Sequence, residues 1–132
     1  MQDPSMIDHI GLPVSDHARS RAFYLTALAA LDYTIQLEVT AEQTGSGPAT
    51  GFGPTGKPAF WIGVGEPNRT HVALLARNRA AVDAFHQAAI AAGGHDNGAP
   101  GLRPHYHADY YGAFVLDPDG HNIEAVCHVP EA

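Results

Sequence analysis

Several residue types are scarce in this chain of 132 residues, and their scarcity excludes whole classes of protein. A single cysteine, Cys127, leaves no internal disulfide framework. Only seven lysines and arginines stand against fourteen aspartates and glutamates, which gives a formal net charge of -7 and argues against a nucleic-acid partner. No apolar run reaches membrane length, and no basic-then-apolar leader opens the chain. We therefore expect a cytoplasmic protein with no nucleic-acid or membrane partner.

Histidine, by contrast, is abundant, with nine copies in a chain that is otherwise ordinary globular material at 45% hydrophobic and 16% charged residues. Some of the histidines cluster, as His105 and His107 do, and again His121 and His128. Such enrichment in a small acidic protein is a mild indication of metal or acid–base chemistry.

The first half of the chain reads as strand, helix and three strands. "MIDHIGLPV" alternates like a strand, Ser15 is a candidate helix N-cap, and "HARSRAFYLTALAAL" has apolar residues at helical spacing. "YTIQLEV" alternates again, residues 44–58 are a turn or a glycine-rich strand, and "PAFWIGV" is an apolar strand.

The second half repeats this order. "THVALLA" is a strand, Asn78 caps the helix "RAAVDAFHQAAIAAGG", and residues 95–109 look polar and loop-like. "YYGAFVLDP" and "HNIEAVCH" are then two strands joined by a tight "PDG" turn.

A shift of 62 residues superimposes the two halves, placing His9 on His71 and Phe23 on Phe85. We therefore predict an α+β fold of two βαβββ modules, about 5–66 and 69–129, packed together as one domain over residues 1–132.

Strand alternation brings three potential metal ligands to the outward faces of the sheets. Glu124 lies among the apolar residues of the last strand, on the face opposite Ile123 and Ala125. His9 also points away from the core, and His71 shares that placement through the repeat. Two imidazoles and a carboxylate are a common set for a divalent metal, so Glu124 is predicted to face a metal in a cleft between the modules.

The sequence resembles the vicinal oxygen chelate superfamily over essentially its whole length. The matching stretches are "DHIGLPVSD…AFYLTAL", "HVALLA" and, as the most specific, "GAFVLDPDGHNIEAV". That superfamily includes glyoxalase I, extradiol dioxygenases, fosfomycin-resistance transferases, methylmalonyl-CoA epimerase and bleomycin-resistance binding proteins.

The resemblance implies a metal site built from His9, His71 and Glu124, which match the family's ligand positions one by one. It also implies a cup-shaped mixed sheet, a homodimer, a small-molecule substrate and one divalent ion, which could be Fe, Mn, Ni, Zn or Co. The reaction type stays open among dioxygenase, lyase and transferase, because the same ligands serve all three.

Glyoxalase I and the epimerase take a fourth ligand, Glu or Gln, from the last strand of the first module. The spacing from His71 to Glu124, carried back to His9, predicts Ile62 at that position, and "PAFWIGV" contains no ligand. This favours the three-ligand members over glyoxalase I.

The segment from Arg103 to Gly112, "RPHYHADYYG", is predicted to be either a mobile surface loop or a lid over the site. In the second case His105, His107, Tyr110 and Tyr111 are candidate catalytic residues, although alternation lets only one of the two tyrosines face the cleft. Cys127 is expected to be a small buried residue, and His121 to be exposed.

Two other functions remain open at this stage. The chain could be a non-enzymatic protein that sequesters a drug-like molecule, although such a binder has no need of the ligand set. It could also be a structural module in which the histidines are incidental.

Overall fold

The computed structural model describes residues 6–131, so the outermost parts of the predicted bounds, 1–132 and 5–66, lie outside the described residues. Eight strands and three helices follow one another in the order β1, α1, β2, α2, β3, β4, β5, α3, β6, β7, β8. Their bounds are β1 Ile10–Val14, α1 His17–Ala29, β2 Thr34–Val39, α2 Ala41–Thr44, β3 Ala49–Gly53, β4 Phe60–Val64, β5 His71–Leu75, α3 Arg79–Ala91, β6 His95–Leu102, β7 Tyr111–Leu116 and β8 Asn122–Cys127.

The strands form two four-stranded mixed sheets with the same internal order. The first sheet runs β1-β4-β3-β2 and the second β5-β8-β7-β6. In each sheet the first strand pairs in parallel with the fourth, and the remaining pairs are antiparallel. The predicted α+β class and the repeated βαβββ order are therefore confirmed.

Equivalent elements of the two modules begin 61 or 62 residues apart. The helices α1 and α3 begin at His17 and Arg79, and β4 and β8 begin at Phe60 and Asn122. The two helices pack against each other, and the apolar faces of both sheets are buried against them.

The helix starts show one difference from the sequence prediction. Asn78 caps α3 as predicted, its side chain accepting from the Ala81 amide. The cap of α1, however, is Asp16, which accepts from the Arg19 amide. Ser15 instead binds Asp119 of the second module through its hydroxyl, at 2.5 Å.

The sequence pattern predicts a loop over residues 95–109, whereas the first eight residues of that segment form β6, His95–Leu102. The sequence "HDNGAPGL" has few residues that favour strands, and its pairing with β7 shifts register on either side of Gly98. Gly98 has φ +154, a conformation that side chains rarely adopt. Because this edge strand is irregular, its sequence lacks the alternation of apolar and polar residues by which a strand is predicted.

The turn "DPDGH" joins the modules. Asp117 is buried and accepts a 2.5 Å hydrogen bond from the Tyr24 hydroxyl of α1. The expectation that His121 is exposed was wrong, since its side chain is fully buried. Its Nδ1 accepts from the Thr70 amide, so Nε2 carries the proton and donates to the Pro13 carbonyl at 2.7 Å. Cys127 is buried, as expected.

Among the described residues, no helix is both long enough and apolar enough to cross a bilayer.

Candidate functional site

The parallel pairing of β5 with β8 places His71 and Glu124 on the same open face of the second sheet. His71 is opposite Asn122, and Ala73 is opposite Glu124. The intervening residues of β8, such as Ile123 and Ala125, point to the helix side and are completely buried. The sequence alternation therefore predicted the faces of β8 correctly.

Glu124 is only 2% exposed, and each of its carboxylate oxygens has a partner. The Tyr110 hydroxyl donates a short hydrogen bond to Oε2. The His71 imidazole places Nε2 at 3.2 Å from Oε1. A buried carboxylate with hydroxyl and imidazole neighbours avoids the cost of burying an unpaired charge.

His71 is oriented by two contacts. Its Nδ1 lies 3.0 Å from the Asn122 carbonyl, which can only accept, so Nδ1 carries a proton. Its ring stacks on Phe114 at 6.1 Å between centroids. The nitrogen that faces Glu124 is therefore Nε2, and in the neutral imidazole Nε2 is a lone-pair donor.

His9 lies on the open face of the first sheet, in a hollow of about 480 Å³ that Trp61 also lines. Its Nδ1 donates to Asp8 at 2.7 Å, and Asp8 also accepts from Lys57. His9 thus resembles His71 in having Nδ1 bonded to an acceptor and Nε2 left for a ligand. A carboxylate behind an imidazole is a frequent partner of metal-binding histidine.

The donor set fits a divalent metal in part. His71 Nε2 and Glu124 Oε1 are both electron-pair donors when the imidazole is neutral, and at 3.2 Å they are close enough to bind one cation together. Over residues 6–131, however, no group of three or more His, Cys, Asp and Glu side chains within one chain could hold a metal ion. One chain therefore supplies two of the three predicted ligands at one place, and His9 lies elsewhere.

Of the four candidate catalytic residues, the structure brings only Tyr110 to Glu124. Tyr111 points to the helix side, where its hydroxyl donates to Asp83 at 2.6 Å. The rings of His105 and His107 are exposed and pack against Tyr106 and His128, at 4.2 and 5.8 Å between centroids. Alternation thus correctly predicted that the two tyrosines point to different sides, while the catalytic roles remain predictions.

The two tyrosines are both held in the protonated form. Burial and the hydrogen bond to Glu124 raise the pKa of Tyr110 well above its ordinary value of 10. The hydrogen bond to Asp83, followed by burial, raises the pKa of Tyr111 to about 12. At neutral pH Tyr110 is therefore a hydrogen-bond donor to Glu124.

Sequence reasoning missed three parts of this site. Phe114 and the Asn122 carbonyl orient His71, and Gly112 provides space, since a Cβ there would lie 3.2 Å from both Glu124 Oε2 and the Tyr110 ring. Phe114 and Gly112 share the face of Glu124 by alternation along β7, which could have indicated them. A backbone carbonyl leaves no signal in a sequence.

The residue of β4 that lies on the open face beside His9 is Trp61, one residue before the predicted Ile62. Glu124 pairs with Ala73, two residues after His71. The residue two after His9 is Gly11, and it pairs with Trp61, whereas Ile62 is fully buried in the core. The pairing of β1 with β4 is displaced by one residue relative to the pairing of β5 with β8. The spacing of 53 residues from His71 to Glu124, applied to His9, therefore led to Ile62 instead of Trp61. The conclusion that no metal ligand stands at this position is unchanged.

Comparison with known families agrees with this architecture. The model of the Glyoxalase/Bleomycin resistance protein/Dioxygenase superfamily matches residues 6–125. The chain belongs to this superfamily. A search of curated proteins gives no match.

Solved structures of the superfamily are similar along nearly the whole chain. A glyoxalase/bleomycin resistance protein from Albidiferax ferrireducens T118 is 27% identical, with a TM-score of 0.78 over 93% of this chain and 99% of that one. A glyoxalase I variant from Zea mays is 22% identical, with a TM-score of 0.71 over 95% of this chain and 47% of that one. TnmS3, an antibiotic binding protein from Streptomyces sp. CB03234, is 18% identical, with a TM-score of 0.66 over 96% and 98% of the chains. The last two show a shared fold.

Proposed function

We propose that this superfamily member is a metal-dependent enzyme acting on a small molecule, with one divalent ion held by His71, Glu124 and His9. The observation that carries the proposal is the approach of His71 Nε2 to Glu124 Oε1 at 3.2 Å on an open sheet face. Fe, Mn, Ni, Zn or Co would suit two imidazoles and a carboxylate. When bound, such an ion would polarise a substrate oxygen as a Lewis acid.

His9 would come from a second copy of the chain. Within one chain, His9 does not join a metal-binding group with His71 and Glu124 over residues 6–131. Its Nε2 is nevertheless directed by the bond from Nδ1 to Asp8, which suits a ligand. In a two-fold symmetric dimer, each first sheet would face the partner's second sheet, so that two equivalent sites would form.

Tyr110 would control the proton at Glu124. Its hydroxyl occupies Oε2 and leaves Oε1 directed to His71. Because its pKa is raised, the phenol stays protonated near neutrality and lowers the negative charge that Glu124 presents. The chemical outcome, whether dioxygenase, lyase or transferase, depends on the substrate.

Mixed dimers test both the ligands and their arrangement. One chain would carry His9→Ala and the other Glu124→Ala, with different affinity tags, so that purification through both tags retains only mixed dimers. We expect one tightly bound ion per mixed dimer, because one of its two sites has all three ligands, and none in either variant alone. If mixed dimers form and bind no ion, His9 does not act across the dimer. If no dimer forms, the two-copy arrangement is wrong.

The alternative is a binding protein that holds a small molecule without turnover. The observation in its favour is that the described part of one chain contains no complete metal-ligand group. Metal content after gentle purification without chelators separates the two functions, because a binding protein of this kind would retain no stoichiometric ion.

A further inference from the structure

A second cavity lies away from Glu124, on the other side of β5. It has a volume of about 560 Å³, and it opens where α1 and the helix-facing side of the first sheet approach β5. Glu124, Tyr110 and Phe114 do not line it, and His71 is the only candidate site residue that does. A volume of this size is within the range of small-molecule pockets and many times that of one water molecule.

The accessible lining of this cavity is mainly apolar. Ile7, Ile10 and Ala59 contribute to it and Tyr33 adds a ring at the side, while Phe52, Phe60 and Leu28 lie beneath them and are almost completely buried. Aromatic side chains favour flat ring systems, which gain contact area with little loss of side-chain freedom.

Apart from the His71 side chain, the wall formed by β5 is polar only in its backbone. β5 is an edge strand that pairs with β8 on one side alone, so its other edge faces the cavity. The Leu75 carbonyl on this edge already accepts the Tyr33 hydroxyl at 2.5 Å. Edge groups of this kind can satisfy one hydroxyl, amide or carbonyl group of a ligand.

Charge at the mouth of the cavity is balanced. Lys57 and Asp8 both line it, and their side chains pair at 2.5 Å. An ionic ligand would have to displace one partner of that pair, whereas an uncharged ligand leaves it intact.

We propose that this cavity is a second ligand site, which takes an uncharged, mainly apolar ring compound with one hydrogen-bonding group. It is distinct from the metal site and shares only the His71 side chain with it, and a ligand bound there contacts β5 at the edge away from β8.

The uncharged dye N-phenyl-1-naphthylamine is a suitable probe, because its fluorescence rises in an apolar environment. We expect saturable binding of one dye per chain to the wild type. Ala59→Trp fills the cavity from the first sheet and should weaken binding at least tenfold. Ala84→Trp, on the exposed side of α3, is the matched control and should bind like the wild type, as should Glu124→Gln at the other site.

Folding of each variant is checked by circular dichroism and thermal unfolding. Amide chemical shifts of the wild type provide a second measurement that needs no substitution, and the dye should shift Ala59, Ala73 and Leu74 more than Gly112 and Phe114. Unchanged dye affinity in a folded filled variant, or shifts centred on Gly112 and Phe114, would overturn the proposal. Loss of binding in Glu124→Gln alone would place the dye at the metal site instead.

Discussion

Tyr110 and His71 approach the same buried carboxylate from opposite sides, the phenol at Glu124 Oε2 and the imidazole at Oε1. The two contacts differ in kind. The phenol only supplies a proton to a hydrogen bond, whereas the imidazole offers a lone pair in the direction of the second oxygen when it is neutral. We therefore propose that His71 and Glu124 are the metal ligands and that Tyr110 modulates Glu124. The two roles can be tested separately.

The ligand pair is tested by His71→Ala and Glu124→Ala. Each should weaken binding of a divalent ion, for example Ni²⁺ or Zn²⁺, by at least about tenfold, because each removes one donor. Isothermal titration and elemental analysis provide the measurement. His86→Ala is the matched control, since His86 binds Asp96 on the outer side of the second module. Unchanged affinity in both variants would exclude the ligand assignment.

Tyr110→Phe should leave metal affinity within about threefold of the wild type, because it removes a hydrogen bond to a ligand and no ligand itself. Binding or turnover of a small-molecule substrate should fall, while Tyr111→Phe, which alters the Asp83 contact, should have little effect. Loss of the metal in Tyr110→Phe would mean that the phenol is required to hold Glu124 in place.

Stability should fall in alkaline solution. The pKa values of Tyr24, Tyr110 and Tyr111 are raised in the folded protein, chiefly by burial for the first two and by Asp83 for the third. A raised pKa contributes stability that is fully present below the unfolded value, near 10, and is lost as the pH rises through the folded value. Urea unfolding from pH 8 to 11.5 should therefore show a constant free energy up to about pH 9.5 and a decline above it. Tyr111→Phe should make this decline shallower, and an increase in stability above pH 10 would contradict the assignment.

Ile62 faces the core and Trp61 faces the open side of β4, so substitutions at these two neighbouring residues should have different effects. Ile62→Glu places a carboxylate in the core and should destabilise the fold by several kcal/mol, about 3–5. Trp61→Glu points to the open face beside His9 and should cost less, about 1–3 kcal/mol from lost packing. It should also strengthen metal binding, because the carboxylate occupies the place that Glu124 has in the second module. Chemical unfolding measures the stability of both variants, and metal titration measures the affinity of Trp61→Glu. Equal destabilisation by the two substitutions would contradict the observed register of β1 with β4.

The wild type, which has Trp61 at this position, should convert a glutathione hemithioacetal slowly or not at all when loaded with Ni²⁺ or Zn²⁺. Robust turnover with either ion would show that glyoxalase I chemistry does not need a fourth ligand here.

The turn that links the modules should contribute strongly to stability. His121→Ala leaves the Thr70 amide and the Pro13 carbonyl without their partners, so we expect a loss of about 2–4 kcal/mol in the free energy of unfolding. His128→Ala removes an exposed imidazole seven residues later and should change stability by less than about 1 kcal/mol. Similar effects for the two variants would show that His121 does not link the modules.

The sequence determined the elements and their repeated order. Alternation and helical spacing depend on neighbours a few residues apart, so they predicted the faces of His71 and Glu124, the cap at Asn78 and the burial of Cys127. The same local reasoning failed for β6, because its glycines and register shifts interrupt the pattern.

Only the tertiary structure decided which chemical groups meet. The burial of His121 depends on Thr70 and Pro13, 51 and 108 residues away, and the choice of Trp61 over Ile62 depends on a one-residue displacement in strand pairing. The separation of His9 from the other two predicted ligands is likewise a matter of how the modules pack. Periodicity specifies the direction of a side chain within its own strand, whereas the distance between two strands is fixed by the packing of the whole chain.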